Sequence, residues 1–236
     1  MNRDPRKGSF AATPVYRPAL KICGLRQPTQ ARAIAALGVE AIGVIGVPTS
    51  PRHVPPGERP PLFAAVAETA PHCLGVLVVA DPGEDELPWL EAGRGHQVLQ
   101  LHGRESPEHC EALRHRLGVS IWKALRIRGP RDLDRAQAYA GSVDAVLLDA
   151  WVPDQLGGTG QRLPLEWLQG FRPPLAWWLA GGITPDNAVS ILSGLEPRPH
   201  GLDVSSGVEN APADKNLAQV QRLLRALSGS AGTPAA

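Results

Sequence analysis

Two residues of this chain have the type and setting to move protons, and a third to tune one of them. Asp149 closes an apolar run, Ala145 to Leu148, and the chain then opens into Gly157-Gly158-Thr159-Gly160. That is the pattern of a buried strand delivering one carboxylate to its end beneath a glycine-rich loop. Alternation puts Leu147 and Asp149 on one strand face and Val146 and Leu148 on the other. A strand-end aspartate can equally cap a turn, so its role depends on what the rest of the chain brings toward it. Lys21-Ile22-Cys23-Gly24 sets an ammonium and a thiol on one face of another strand. A nearby positive charge lowers a thiol pKa from about 8.5 and makes a thiolate accessible near neutrality, which would make Cys23 a base with Lys21 tuning it. The alternative is an inert buried cysteine, the commonest fate of a free thiol. If thiolate and carboxylate share a cavity, their repulsion keeps a proton on Asp149, and the two form a base and an acid.

Other residues could hold a substrate for that pair. Ala180-Gly181-Gly182 and Ser205-Ser206-Gly207 read as anion cradles, because glycine lets backbone N–H groups approach an oxyanion. Each alone is as consistent with a tight turn, but two in consecutive loops near the chain's end point to phosphate. The segment around Gly158 reads as a lid lending backbone contacts, with a third cradle or a plain loop as alternatives. Val47-Pro48-Thr49-Ser50-Pro51-Arg52 is a proline-stiffened loop presenting Arg52, whose fork suits a carboxylate, although loop arginines are usually solvated. His102 would polarise or position a substrate, or serve as a hydrogen-bonded structural histidine. Cys73, Cys110, Trp177 and Trp178 go to packing.

The elements that must carry these groups repeat one grammar. Helical stretches Pro28 to Leu37, Pro107 to Leu117, Pro130 to Ala140 and Pro185 to Ser193 each open with proline and stop at Gly38, Gly118, Gly141 and Gly194, the expected start and stop asymmetry. Ser106 and Thr184 stand where N-caps belong. Between them lie eight strand candidates: 19–23, 41–44, 74–79, 98–101, 121–123, 145–149, 175–179 and 201–204. Eight strands alternating with helices at this length predict an α/β fold, a single-domain (β/α)8 TIM barrel. A last helix with Val220, Leu223, Leu224 and Leu227 on one face closes the ring. Alternation turns one strand face to the helices, with Leu20, Ile22, Leu99, Leu101, Val146, Leu148, Leu202 and Val204 there. The opposite face carries Lys21, Cys23, Gln100, His102, Lys123, Asp149, Asp203 and Ser205 into the lumen. Burying so many polar groups costs roughly 1 to 3 kcal/mol each unless they serve one another or a ligand, and the carboxyl mouth of a barrel is where sites are built.

Composition narrows the function classes. A formal net charge of +1 lacks the basic excess of a nucleic-acid binder, so an anionic substrate must be held by local devices. No apolar stretch approaches the ~18 residues of a membrane span, and the start has no signal-peptide core. Three cysteines at spacings of neither a disulfide framework nor a metal site favour the cytoplasm. Residues 1–17 are expected to form a loose tail, 18–228 the barrel, and 229–236 a second tail.

From about Ala19 to Leu227 the chain resembles the phosphoribosylanthranilate isomerases of tryptophan biosynthesis. The resemblance is carried by Lys21-Ile22-Cys23-Gly24, Ser50-Pro51-Arg52, Leu99-Gln100-Leu101-His102-Gly103, Leu148-Asp149-Ala150, Gly157-Gly158-Thr159-Gly160, Leu179-Ala180-Gly181-Gly182 and Asp203-Val204-Ser205-Ser206-Gly207-Val208-Glu209. It implies an Amadori rearrangement of a small phosphoribosyl substrate without metal or cofactor, by a monomer or homodimer. It also implies that Cys23 is the general base, Asp149 the general acid and Arg52 the partner of the anthranilate. His102, Gly158 and Asp203 fall within the motifs as substrate contacts, and Gly181, Gly182, Ser205, Ser206 and Gly207 as the phosphate loops. Where many members have aromatic residues after the second strand, this chain has Val44-Ile45-Gly46-Val47. A related isomerase of the histidine pathway uses two aspartates, and Cys23 argues against it. A silent ligand-binding barrel would have little need of Lys21, Cys23 and Asp149 together.

Overall fold

The computed structural model describes residues 16–150 and 161–229. Eight parallel strands close in sequence order into a barrel: β1 (Ala19–Cys23), β2 (Ala41–Ile45), β3 (Leu74–Val79), β4 (Val98–Leu101), β5 (Ser120–Ile127), β6 (Ala145–Ala150), β7 (Ala176–Ala180) and β8 (Gly201–Val204). The seam pairs β1 with β8 and sets Lys21 opposite Asp203. Outside them lie α1 (Pro28–Ala35), α2 (Arg59–Thr69), α3 (Pro107–Leu117), α4 (Arg135–Ala138), α5 (Ala188–Ser193) and α6 (Leu217–Gly229). A small antiparallel hairpin, β9 (Glu209–Ala211) and β10 (Asp214–Lys215), follows β8.

Two faces of the strands build two cores. Leu20, Ile22, Leu99, Leu101, Val146, Leu148, Leu202 and Val204 pack outward under the helices, as alternation predicts. Inside, Ala41, Val76, Val98, Trp122, Ala145, Leu147 and Trp178 form an apolar plug, with the Trp122 and Trp178 ring centroids 4.7 Å apart. Trp177, one residue away, joins the outer core. The plug fills the floor of the lumen, where Lys21 and Gln100 are buried level with it.

The helices depart from the sequence pattern in three places. Pro130 to Ala140 is a 3-10 turn, Pro130–Asp134, running into the four-residue α4. α5 starts only at Ala188, and Thr184 is not its cap: the Thr184 N–H donates to Asn187 Oδ1 at 2.8 Å. α2 escapes the pattern because Arg59-Pro60-Pro61 reads as a loop. Proline is tolerated in a first helical turn, where no N–H partner is needed, and Leu62, Phe63, Ala65 and Val66 are buried from there. α3 behaves as expected, with Ser106 accepting the His109 N–H at 3.2 Å and Gly118 in the left-handed region at φ 66°.

The tails expected at residues 1–17 and 229–236 lie mostly outside the described residues. Within them, the Tyr16 hydroxyl donates to the Pro199 carbonyl, Arg17 pairs with Glu40 at 3.2 Å, and Gly229 ends α6. Among the described residues no helix is long and apolar enough to cross a membrane.

Candidate active site

Cys23 and Asp149 both end up on the lumen face at the carboxyl end of their strands, and both are buried. Cys23 has room there because β2 carries Gly43 opposite it in register. A Cβ at Gly43 would stand 2.6 Å from Cys23 Sγ and 3.1 Å from Lys21 Cε. Gly24 then turns with φ +87°, and the Arg52 side chain and Ser205 Oγ occupy the space where a Cβ would project. Ser205 Oγ donates to the Cys23 carbonyl at 3.0 Å. The first strand, the loop after the second and the loop after the eighth thus meet around one thiol.

The electrostatics of that thiol differ from the expectation drawn from Lys21 alone. Burial pushes the Cys23 thiol above its ordinary value; Lys21 and Lys215 pull it down, but less than burial and Asp203 push it up. The reason is local neutralisation, since Lys21 Nζ sits 2.9 Å from Asp203 Oδ1. Burial alone would discharge Lys21, yet Asp203 and Cys23 more than offset it and raise its pKa. Asp203, expected to meet substrate, has this carboxylate oxygen engaged by the ammonium.

On the other side of the mouth, His102 Nε2 stands 3.7 Å from Asp149 Oδ2, and both side chains are buried. Gly181 lies close by, for a Cβ on it would collide with the Gln161 carbonyl and reach within 3.3 Å of Asp149 Oδ1. Its φ of +93°, and +59° at Gly182, are open to glycine. Asn187 clamps this turn, accepting from the Thr184 N–H and donating to the Gly182 carbonyl at 2.8 Å. Ser206 and Gly207 start a short 3-10 turn, and a Cβ on Gly207 would collide with the Ile183 carbonyl. The two glycine turns are therefore packed against each other.

Arg52 is buried, unlike the solvated loop arginine its sequence setting suggests. Its Nε and one terminal nitrogen fork onto Glu209 at 2.9 and 2.6 Å. Lys123, expected in the lumen, points outward instead and pairs with Glu105 at 3.1 Å. Trp122 and Ala124 take the lumen face of β5, so their alternation gives the lumen to Arg126, which lies opposite Asp149 in register. Glu209, Lys215, Arg126 and Gly43 are the neighbours that sequence inspection left unassigned. Gly158 lies outside the described residues. Among the described residues no group of three or more histidine, cysteine or carboxylate side chains could hold a metal ion.

Comparison with known proteins decides between the remaining readings. The family model of N-(5'-phosphoribosyl)anthranilate (PRA) isomerase matches residues 20–226. The chain belongs to the phosphoribosylanthranilate isomerase family. Its relatives include the isomerase of Synechocystis sp., 48% identical over 210 residues covering 86% of this chain and 93% of the relative. That of Thermosynechococcus vestitus is 45% identical, covering 88% and 89%. Among solved structures, phosphoribosylanthranilate isomerase from Thermus thermophilus superposes with a TM-score of 0.74 at 32% identity, covering 89% of this chain and 98% of that one. Another, 26% identical with a TM-score of 0.71 over 90% and 99% of the two chains, is a phosphoribosylanthranilate isomerase in complex with reduced 1-(o-carboxyphenylamino)-1-deoxyribulose 5-phosphate. As a phosphoribosylanthranilate isomerase the chain acts in tryptophan biosynthesis, and its closed barrel is the fold of these neighbours.

Proposed function

We propose that this chain converts N-(5-phospho-β-D-ribosyl)anthranilate to 1-(2-carboxyphenylamino)-1-deoxy-D-ribulose 5-phosphate by proton transfers from Asp149 and to Cys23. The observation that carries this division of labour is the placement of the two groups on the lumen face at the carboxyl mouth, Asp149 beside the Gly181 turn and Cys23 beside Arg52 and Ser205.

Protonated Asp149 gives its proton to the furanose ring oxygen. The C1–O bond breaks as the anilino nitrogen's electron pair forms an iminium at C1. The Cys23 thiolate removes the C2 proton, whose electrons form the enolamine and neutralise the nitrogen. Tautomerisation adds a proton at C1 and removes one from the 2-hydroxyl to give the ketone. Two protons are gained and two lost, so both side chains are regenerated and no electron acceptor is needed. A thiolate raised by burial is a stronger base than an ordinary one, though less of it exists at neutrality.

Backbone N–H groups of the Gly181-Gly182 and Ser205-Ser206-Gly207 turns would receive the phosphate, and Arg52 the anthranilate carboxylate. Every group in this scheme comes from one chain, so a monomer and a homodimer serve it equally. Three cysteines without disulfide partners support a reducing, cytoplasmic setting. The test is to follow the fluorescence of fresh substrate. Cys23→Ala and Asp149→Asn should each lose about 10² to 10⁴ in kcat, and full activity in either variant would remove that residue from its role.

A further inference from the structure

Arg52 does not reach the mouth of the barrel as a free cation. Its Nε and a terminal nitrogen are taken by the two oxygens of Glu209, at 2.9 and 2.6 Å. A guanidinium has two edges that can fork onto a carboxylate: a side edge with Nε and one terminal nitrogen, and an end edge with the two terminal nitrogens. Glu209 fills the side edge, and among the described residues no hydrogen bond is made by the remaining terminal nitrogen. Glu209 is itself fixed, since Oε1 also accepts from Lys215 Nζ at 2.5 Å and from the Ala213 N–H at 3.1 Å. Burial would raise the Glu209 carboxyl, but its bonds to Arg52 and Lys215 outweigh burial and hold it below the ordinary range. One carboxylate between two cations leaves one positive charge in excess beside Cys23.

From this arrangement we infer that Glu209 is a positioning and specificity residue. By occupying the side edge of Arg52, it presents only the end edge, at a fixed angle, to the carboxylate of the aromatic amine. The inference rests on Arg52 as the carboxylate partner of the substrate. Both Arg52 and Glu209 are nearly excluded from solvent, with side-chain exposures of 8% and 4%, so the arginine cannot swing freely between orientations. Glu209 also begins the hairpin that follows the Ser205-Ser206-Gly207 turn. It thereby ties the distance between the carboxylate end and the phosphate end of one ligand to a single rigid link. An arginine released from that link would keep its charge but lose the angle at which it forks.

The test uses two substrates made from ribose 5-phosphate, one with anthranilate and one with aniline, which lacks the carboxylate. In Glu209→Gln the amide offers N–H groups against the donors of Arg52 and breaks the fork. KM should rise about 10-fold more for the anthranilate substrate than for the aniline one, the size of one charge-assisted hydrogen bond, while any change in kcat from the lost charge beside Cys23 falls on both alike. An equal rise in KM on both substrates would reduce Glu209 to a support for the phosphate loop and overturn the inference. So would tighter binding of the carboxylated substrate, which would make Glu209 its competitor. Arg52→Ala separates the underlying assumption: if it leaves the preference for anthranilate over aniline intact, Arg52 is not the carboxylate partner. Should Glu209→Gln fail to fold, Glu209→Asp keeps the charge but withdraws it, and the same pair of KM ratios decides.

Discussion

His102 Nε2 faces Asp149 Oδ2 across 3.7 Å, with both side chains buried at the mouth of the barrel. That separation is too long for a hydrogen bond, and the ring nitrogen has no other partner among the described residues. A buried donor or acceptor left open is costly, so the pair is poised to close on each other or on a ligand oxygen between them. If His102 acts by orienting the acid, His102→Asn should lower kcat about 10-fold with little change in KM, and should add nothing in an Asp149→Asn background. A double-variant kinetic cycle measures this, and losses that simply multiply would show that the histidine works independently of the aspartate.

The direction of the Cys23 shift gives a second expectation. Burial raises this thiol above its ordinary value despite two nearby ammonium groups, and only the deprotonated form can accept the C2 proton. In the free enzyme kcat/KM should therefore still be climbing at pH ~8.5, the ordinary thiol value. A profile that has levelled by neutrality would mean that the ammonium groups win. The same burial acts on stability. Cys73 and Cys110 are pushed up to about 12, so the native state holds protons that the unfolded chain releases first. Their contribution is complete below the ordinary thiol pKa and disappears as pH rises toward the folded values. Urea midpoints should fall steadily above pH ~9.

Gly43 makes the thiol's position testable. An alanine Cβ would stand 2.6 Å from Sγ and 3.1 Å from the Cys23 backbone, and a short cysteine on a central strand has little room to withdraw. Gly43→Ala should cost about 1–3 kcal/mol of stability through overpacking and should lower kcat by displacing the base, at least 10-fold if the proton transfer limits turnover. Activity assayed on the fraction that remains folded separates the two effects. An alanine variant with native kcat would place the reacting sulfur elsewhere.

What could be read from the sequence was whatever depends on local periodicity. The eight strands, and the placement of Lys21, Cys23 and Asp149 on one face, follow from alternation in apolar runs, because a slip by one residue would expose every core side chain. β5 failed that test because its expected span, 121–123, was too short to fix a face. In the eight-residue strand Trp122 takes the lumen and Lys123 turns outward. The Arg52–Glu209 fork was illegible for a different reason: its partners lie 157 residues apart, and only barrel closure brings them together. The sign of the Cys23 shift was also beyond local inspection. The ammonium two residues away was visible, but neither the desolvation nor the carboxylate that neutralises it could be seen from β1.

Lys123 and Glu105 provide a prediction in which the two partners are unequal. Both side chains are about 1% exposed and 3.1 Å apart. Lys123 Nζ also donates to the carbonyls of Leu101, Gly103 and Ala124 at 3.2, 2.9 and 2.9 Å. Glu105 Oε1 accepts from the Asp81 and Gly103 N–H groups at 2.7 and 3.2 Å. Removing the lysine leaves a carboxylate buried without a counter-ion and takes a donor from three carbonyls, which should cost about 3–5 kcal/mol in Lys123→Met. Glu105→Gln keeps an acceptor for the Asp81 N–H, and Lys123 keeps its three carbonyls, so the loss there should be smaller. The double variant should recover part of the Lys123→Met loss, because the neutral amide no longer needs a counter-ion. Because this cluster closes the loop directly after His102, Lys123→Met should also lower kcat in the fraction that folds. Urea melts of the three variants decide, and a larger loss in Glu105→Gln than in Lys123→Met would show that the carboxylate, through its backbone bonds, is the partner that holds this loop.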